Sequence, residues 1–164
     1  MQLRSSPHRR AQSYQVSFRP EFIRRLIVKG VMMAFYRDEK QFYAVMDRLF
    51  GRLMKDAKAT NQFARSNMVI RLNTRQPNAQ ILLDGRGRPV EALFGPQVGK
   101  ADLELNLEAD TLHRIWLGEV RLRDAFFGGQ IATKGYVFKA MQLGELFQEA
   151  ERQYPQVLLE MGLR

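Results

Sequence analysis

From Asp38 onward the apolar residues fall at helical spacing. Phe42, Met46, Leu49, Leu53 and Ala57 form one stripe, widened by Phe50 and Met54, while Asp47, Arg48, Arg52 and Asp56 fall away from it. A stripe of that period predicts an amphipathic helix, here running to about Lys58. Asp38 and Gln41 make a capping pair for its start. Thr60 to Ser66 is expected to be the exit loop.

The period then changes to two. Met68, Ile70 and Leu72 alternate with Val69, Arg71 and Asn73 until Gln76-Pro77-Asn78 turns the chain, which predicts a strand. Ala79 to Leu83 and Val90 to Phe94 read as two more, ended by Asp84-Gly85-Arg86-Gly87 and by Gly95-Pro96. The clearest strand is Asp102 to Glu108: Leu103, Leu105 and Leu107 face one way, Asp102, Glu104, Asn106 and Glu108 the other. Such alternation predicts a sheet with one dry face and one wet face. Asp110 is placed to cap a helix carrying Leu112, Ile115, Trp116 and Leu117, stopped at Gly118. Leu122 to Phe127 is a short apolar-rich piece ending at Gly128-Gly129, and Gln130 to Gly135 is a fifth strand. A long helix is expected from Val137 to Tyr154, with Phe138, Met141, Leu146, Phe147 and Ala150 broadly on one side. Pro155 should break it and leave Val157 to Met161 as a last apolar segment.

Ahead of these elements, Met1 to Ser17 is polar and basic and is expected to be poorly ordered alone. From Pro20, which suits a first helical position, Phe22, Ile23, Leu26 and Ile27 recur with Arg24, Arg25 and Lys29 between them. The expected organisation is a basic arm with a short amphipathic helix over residues 1–36, then one domain over residues 37–164.

Charge sharpens that division. The net charge is +9, yet seven bases stand against one acid up to Gly30 and nineteen against sixteen after it. The basicity belongs mainly to the leader. A nucleic-acid-binding module stays open as an alternative, on the Arg-rich arm and aromatics such as Tyr14 and Phe18. Against it, no recognised nucleic-acid motif occurs and the remainder is nearly balanced. Cysteine is absent, which removes disulfides, thiolate metal sites and cysteine nucleophiles and fits a reducing compartment. No stretch nears the roughly 20 apolar residues that span a bilayer. No secretory signal pattern and no C-terminal peroxisomal address occurs, so the expected location is cytoplasmic.

Catalytic chemistry would need a cluster, and none is legible. Ser5, Ser6, Ser13, Ser17 and Ser66 sit in no nucleophile-elbow pattern. Gly85, Gly87 and Gly95 match neither the dinucleotide fingerprint nor the phosphate loop. His8 and His113 are far apart, His113 reads as structural, and Glu104 with Glu108 reads as a solvated strand face. No cofactor and no metal is expected. The second half instead supplies apolar side chains, from Trp116 through Phe147 to Leu158. These either fill the core or wall an adaptable pocket, a role that suits Met and aromatic residues. Composition alone does not separate the two.

The stretch Leu117-Gly118-Glu119-Val120-Arg121-Leu122-Arg123-Asp124-Ala125-Phe126-Phe127-Gly128-Gly129-Gln130-Ile131-Ala132-Thr133-Lys134-Gly135 resembles the signature of the sterol-carrier-protein family, the lipid-transfer domain. The matching anchors are Gly118 at a helix end, the Ala125-Phe126 pair, Gly129, the strand Ile131 to Lys134, and Gly135. The likeness covers about Asp38 to Met161. It implies an α+β fold: a five-stranded, mostly antiparallel sheet covered by helices, with a hydrophobic cavity between sheet and helices near the C-terminus. It also implies binding of sterols, fatty acids, acyl-coenzyme A or other lipids without a metal. Carried onto this chain, Phe126, Phe127, Ile131, Met141 and Phe147 become the expected cavity wall. Trp116, Leu146 and Leu158 complete the candidate ligand contacts.

The expected function is therefore non-catalytic: binding and transfer or presentation of a fatty acid, acyl-coenzyme A, sterol-like or isoprenoid lipid. The driving force would be partition, at roughly 0.8 kcal/mol per buried methylene. An accessory role in lipid or quinone biosynthesis is the related alternative. Arg24, Arg25 and Lys29 are expected to dock the chain on an anionic membrane, each base near such a surface contributing about 1 kcal/mol. The other reading of that segment is a helix packed on the domain behind a solvated arm.

Overall fold

Asp38 begins the first helix as its spacing predicts. In the computed structural model, which describes residues 34–138 and 143–163, helix α1 spans Glu39–Leu53. Asp38 Oδ1 accepts from the Gln41 amide at 2.7 Å, and Gln41 Oε1 accepts from the Arg37 amide at 2.8 Å. Two otherwise unpaired backbone donors are thereby satisfied.

The helix stops at Leu53, short of Lys58, and Thr60 to Ser66 is not a loop: helix α2 occupies Ala57–Ser66. Asp56 explains the difference. Its Oδ1 accepts from the amides of Lys58 and Ala59 at 2.9 and 3.3 Å, and Thr60 Oγ1 donates to the Asp56 carbonyl at 2.9 Å. A new helix is thus capped directly after the first one ends. Its buried stripe is narrow (Ala59, Thr60, Phe63, Ala64), so the polar run Thr60-Asn61-Gln62 concealed it.

The strands follow the alternation. They are β1 (Val69–Arg75), β2 (Ala79–Asp84), β3 (Glu91–Phe94), β4 (Leu103–Glu108) and β5 (Ile131–Gly135), ordered β3-β2-β1-β4-β5. Three ladders are antiparallel and the β1–β4 pair is parallel. Register places Ile70 beside Leu83 and Leu103, and Leu72 beside Ile81 and Leu105, so the apolar rows form one continuous dry face. The opposite face is a polar ladder. Arg71 pairs Glu104 at 3.2 Å, Arg75 pairs Glu108 at 2.9 Å, and Asn73 donates to Asn106 at 2.9 Å.

Helix α3 spans Ala109–Trp116 and ends as its glycine predicts, with Gly118 at φ +73°. A left-handed residue there costs glycine little. Its start differs from expectation. Asp110 lies inside the first turn and caps nothing; Oδ1 instead accepts from the Phe35 amide at 2.9 Å, tying the incoming chain to this helix. Helix α4 (Leu122–Phe127) leads into β5. Gly135, at φ +103°, closes the strand so tightly that a Cβ there would stand 2.1 Å from the Asp102 carbonyl oxygen. No other residue type fits that contact.

The C-terminal helix corrects two expectations. Helix α5 spans Gly144–Glu160, so Val137 and Phe138 are not part of it and Pro155 does not end it. Val137 is half-buried while Phe138 is exposed, so the two share no buried helical stripe. A mid-helix proline costs about 3 kcal/mol or more through a lost hydrogen bond and a ring clash. Tyr154, Val157 and Leu158 around it are each 3% exposed or less. Each such side chain returns roughly 1.5–3 kcal/mol on burial, so packing outweighs the break. Phe35 and Tyr36, assigned to the arm by composition, pack with the core, Tyr36 being buried. Among the described residues no helix is long and apolar enough to cross a membrane. The expected helix after Pro20 lies outside the described residues.

Candidate functional site

The dry face of the sheet is filled at one end and open at the other. Near β5 a pocket of about 440 Å³ lies between sheet and helices. Strand β4 contributes Leu105; β5 contributes Ile131 and Thr133; α4 contributes Leu122, Arg123, Phe126 and Phe127. Val137, Leu143, Gly144 and Phe147 close the side toward α5. A volume in this range with mainly apolar lining and few polar groups is typical of small-molecule sites. Phe127 is 78% exposed, which places its ring at the solvent edge.

The alternation and the glycines explain why these residues converge. Thr133 and Ile131 stand opposite Leu105 and Leu107 on the dry face. Gly129, at φ +74°, lets the chain reverse from α4 into β5, so Phe126 and Ile131 border the same space although a turn separates them. Among the candidate contacts, Phe126, Phe127, Ile131 and Phe147 line the pocket. Trp116, Leu146 and Leu158 do not; each is 3% exposed or less and belongs to the packed core. Met141, Arg24, Arg25 and Lys29 lie outside the described residues. Leu105, Leu122, Arg123, Thr133, Val137, Leu143 and Gly144 also line the pocket and were not legible as site residues. For Leu105 and Thr133 the strand alternation carried the signal; for Arg123 nothing local did.

Other depressions have a different character. Two, of about 490 and 300 Å³, lie along α2 and α5 and are lined by Lys58, Arg65, Glu145, Glu149 and Arg152 among others. Their charges compensate one another. Arg152 and Gln153 hold the Glu149 carboxyl down at about 2.

The titratable groups with shifted behaviour sit elsewhere. His113 Nδ1 lies 2.7 Å from the Tyr154 hydroxyl, which lies 2.5 Å from the Tyr36 hydroxyl, and the Phe35 ring stacks on the imidazole at 3.7 Å. Burial pushes both phenols up and the imidazole down. None of the three borders the apolar pocket. The two buried phenols and the imidazole satisfy one another, as buried hydroxyls require, whereas the buried Trp116 Nε1 has no partner among the described residues. The pocket lining itself holds no carboxylate, histidine or serine among the described residues.

The comparison with protein families places this arrangement. Residues 46–148, more than half of the chain, match the model of the SCP-2 sterol transfer family. The chain belongs to that family. Solved structures of its members share the fold. Sterol carrier protein 2 from Yarrowia lipolytica, in its apo form, superposes with a TM-score of 0.52 at 19% identity, over 68% of this chain and 90% of that one. The sterol carrier protein domain 2 of Helicoverpa armigera gives 0.53 at 16% identity, over 66% and 89%. A UbiJ-SCP2 ubiquinone synthesis protein gives 0.51 at 20% identity, over 67% and 90%. No curated protein matches the sequence. SCP-2 family membership agrees with the five-stranded, mostly antiparallel α+β fold expected from the signature around Ala125-Phe126.

Proposed function

We propose that the chain binds a hydrophobic ligand in the pocket beside β5 and transfers or presents it without changing it. The supporting observation is the roughly 440 Å³ opening whose described lining is apolar except for Thr133 and Arg123. Membership of the SCP-2 sterol transfer family points the same way. Fatty acids, acyl-coenzyme A, sterol-like and isoprenoid lipids all offer the needed chemistry: an alkyl or polycyclic body that leaves water at roughly 0.8 kcal/mol per methylene. Likeness to a ubiquinone synthesis protein adds an accessory role in quinone synthesis as a related reading. Cytoplasmic location and a membrane-docking leader ahead of the domain are parts of the same reading.

The test is titration of the purified chain with a neutral apolar fluorophore, together with native mass spectrometry of the protein as purified. The expected result is saturable one-to-one binding that is lost in Leu122→Glu while the far-UV spectrum is kept. A protein that carries no lipid and takes up no apolar probe overturns the reading.

A further inference from the structure

The sheet ends at β5, whose outer edge no described strand pairs. Such an edge presents amides and carbonyls with no ladder to join, and proteins commonly guard it with a short strand or a lysine. Strand β5 has both, being five residues long and carrying Lys134. Ala132 and Lys134 are exposed on the wet face, opposite Asn106 and Glu104. Glu104, however, pairs with Arg71 at 3.2 Å. Lys134, Arg121 and Arg123 are all exposed, and none has an ion pair among the described residues.

A guarded edge is ordinary by itself. What sets this one apart is apolar surface on both flanks. Phe127, just ahead of β5, is 78% exposed, and Tyr136 and Phe138, just after it, are 63% and 96% exposed. No other aromatic ring among the described residues is exposed. Strand β3, at the opposite edge, carries Glu91 as its one charge and has no exposed ring.

We infer that the β5 edge is an interaction surface for an extended segment of a partner protein, one that alternates acidic and apolar residues and joins the sheet as a sixth strand. The strand period dictates the alternation. Residues on one side of such a segment would meet Ala132 and Lys134, and those on the other the rings that flank β5. Main-chain bonds to the edge supply affinity, and alternate side chains supply selectivity. The cations oppose a second copy as the occupant, because pairing β5 with itself brings two sets of Lys134, Arg121 and Arg123 to one junction. A lipid surface would take up rings and cations but leave the backbone groups of the edge without partners.

The test uses the full chain and three end-blocked peptides of seven residues: one alternating glutamate and valine, one with lysine for glutamate, and one N-methylated along the glutamate–valine backbone. The first should slow amide exchange of Ile131 to Gly135, read by NMR, and bind about tenfold more tightly than the lysine peptide, equivalent to about 1.4 kcal/mol. The N-methylated peptide should not bind. Lys134→Gln should weaken the first peptide at least threefold and leave binding of a neutral apolar fluorophore unchanged, since Lys134 does not line the pocket. Lys58→Gln, which removes the same charge from α2, should change neither. Unchanged β5 exchange, equal binding of acidic and basic peptides, binding of the N-methylated peptide, or equal weakening in both variants overturns the inference. So does protection of the same amides by phosphatidylserine vesicles but not by the peptide, which makes the edge a lipid surface. Protection that grows with protein concentration alone makes it a contact between copies and overturns it too.

Discussion

At the β1–β2 end of the sheet, Ile70, Leu72, Ile81 and Leu83 share a core with Phe42, Met46, Leu49 and Phe63, and none of them exceeds 3% exposure. At the β5 end the same face carries Ile131 and Thr133 under the short helix α4, and there a pocket of about 440 Å³ remains. The two ends are built from similar residue types. What separates them is the length and placement of the covering helix: the fifteen residues of α1 present a continuous buried stripe, whereas the six residues of α4 bury Ala125 alone among their side chains. An apolar side chain therefore means stability at one end and opportunity for a guest at the other.

That contrast can be broken at its strong end first. Phe42→Ala removes a fully buried ring where neighbours cannot collapse freely, and should cost about 3–5 kcal/mol in denaturant unfolding. Fluorophore affinity per folded molecule should stay as in the wild type, because Phe42 does not line the pocket. A small cost would mean that the β1–β2 end is as loosely filled as the β5 end.

A smaller effect comes from the buried polar chain that locks α3 to α5. Burial depresses His113 below its ordinary value, while Asp110 and Glu119 oppose the shift. The folded protein then binds fewer protons than the unfolded chain, so stability is present above the unfolded value of about 6.5 and is lost as pH falls toward the lower folded value. The slope cannot exceed about 1.4 kcal/mol per pH unit for one proton. Thermal unfolding at stepped pH should show this decline in the wild type and a flatter one in His113→Asn, which removes the titration. Ligand affinity should not follow it, since His113 lies outside the pocket. An unaltered slope in the variant would remove His113 from the account.

The smallest effect on the fold should come from the open end. Phe127→Ser changes a ring that is 78% exposed, so stability should move by no more than about 0.5 kcal/mol. Binding of the neutral fluorophore should nevertheless weaken severalfold in the same titration. If stability falls instead and binding holds, Phe127 belongs to the core and the contrast between the two ends is wrong.

Much of the fold was open to a reading of the chain alone. The Asp38 cap, the alternation of Leu103, Leu105 and Leu107, and the stop at Gly118 are local devices whose physics lies within a few residues. The failures have two causes. Asp56 caps a helix whose polar run Thr60-Asn61-Gln62 resembles a loop, a local device that the run conceals. Asp110 bonds a residue far back in the chain and Pro155 sits unbroken within α5, where a distant partner in the one case and burial in the other outweigh the local preference.

The site divides in the same way. The run from Ala125 to Gly135 specified the family signature, and with it the turn from α4 into β5, because glycine and alternation act over short spans. Which of the many apolar residues border empty space was decided only in three dimensions. Trp116, Leu146 and Leu158 look equivalent to Phe126 and Phe147 in composition, yet the first three are enclosed and the last two face the pocket. A void is a property of how separate elements meet, and so is a cation at its edge; neither has a spacing along the chain.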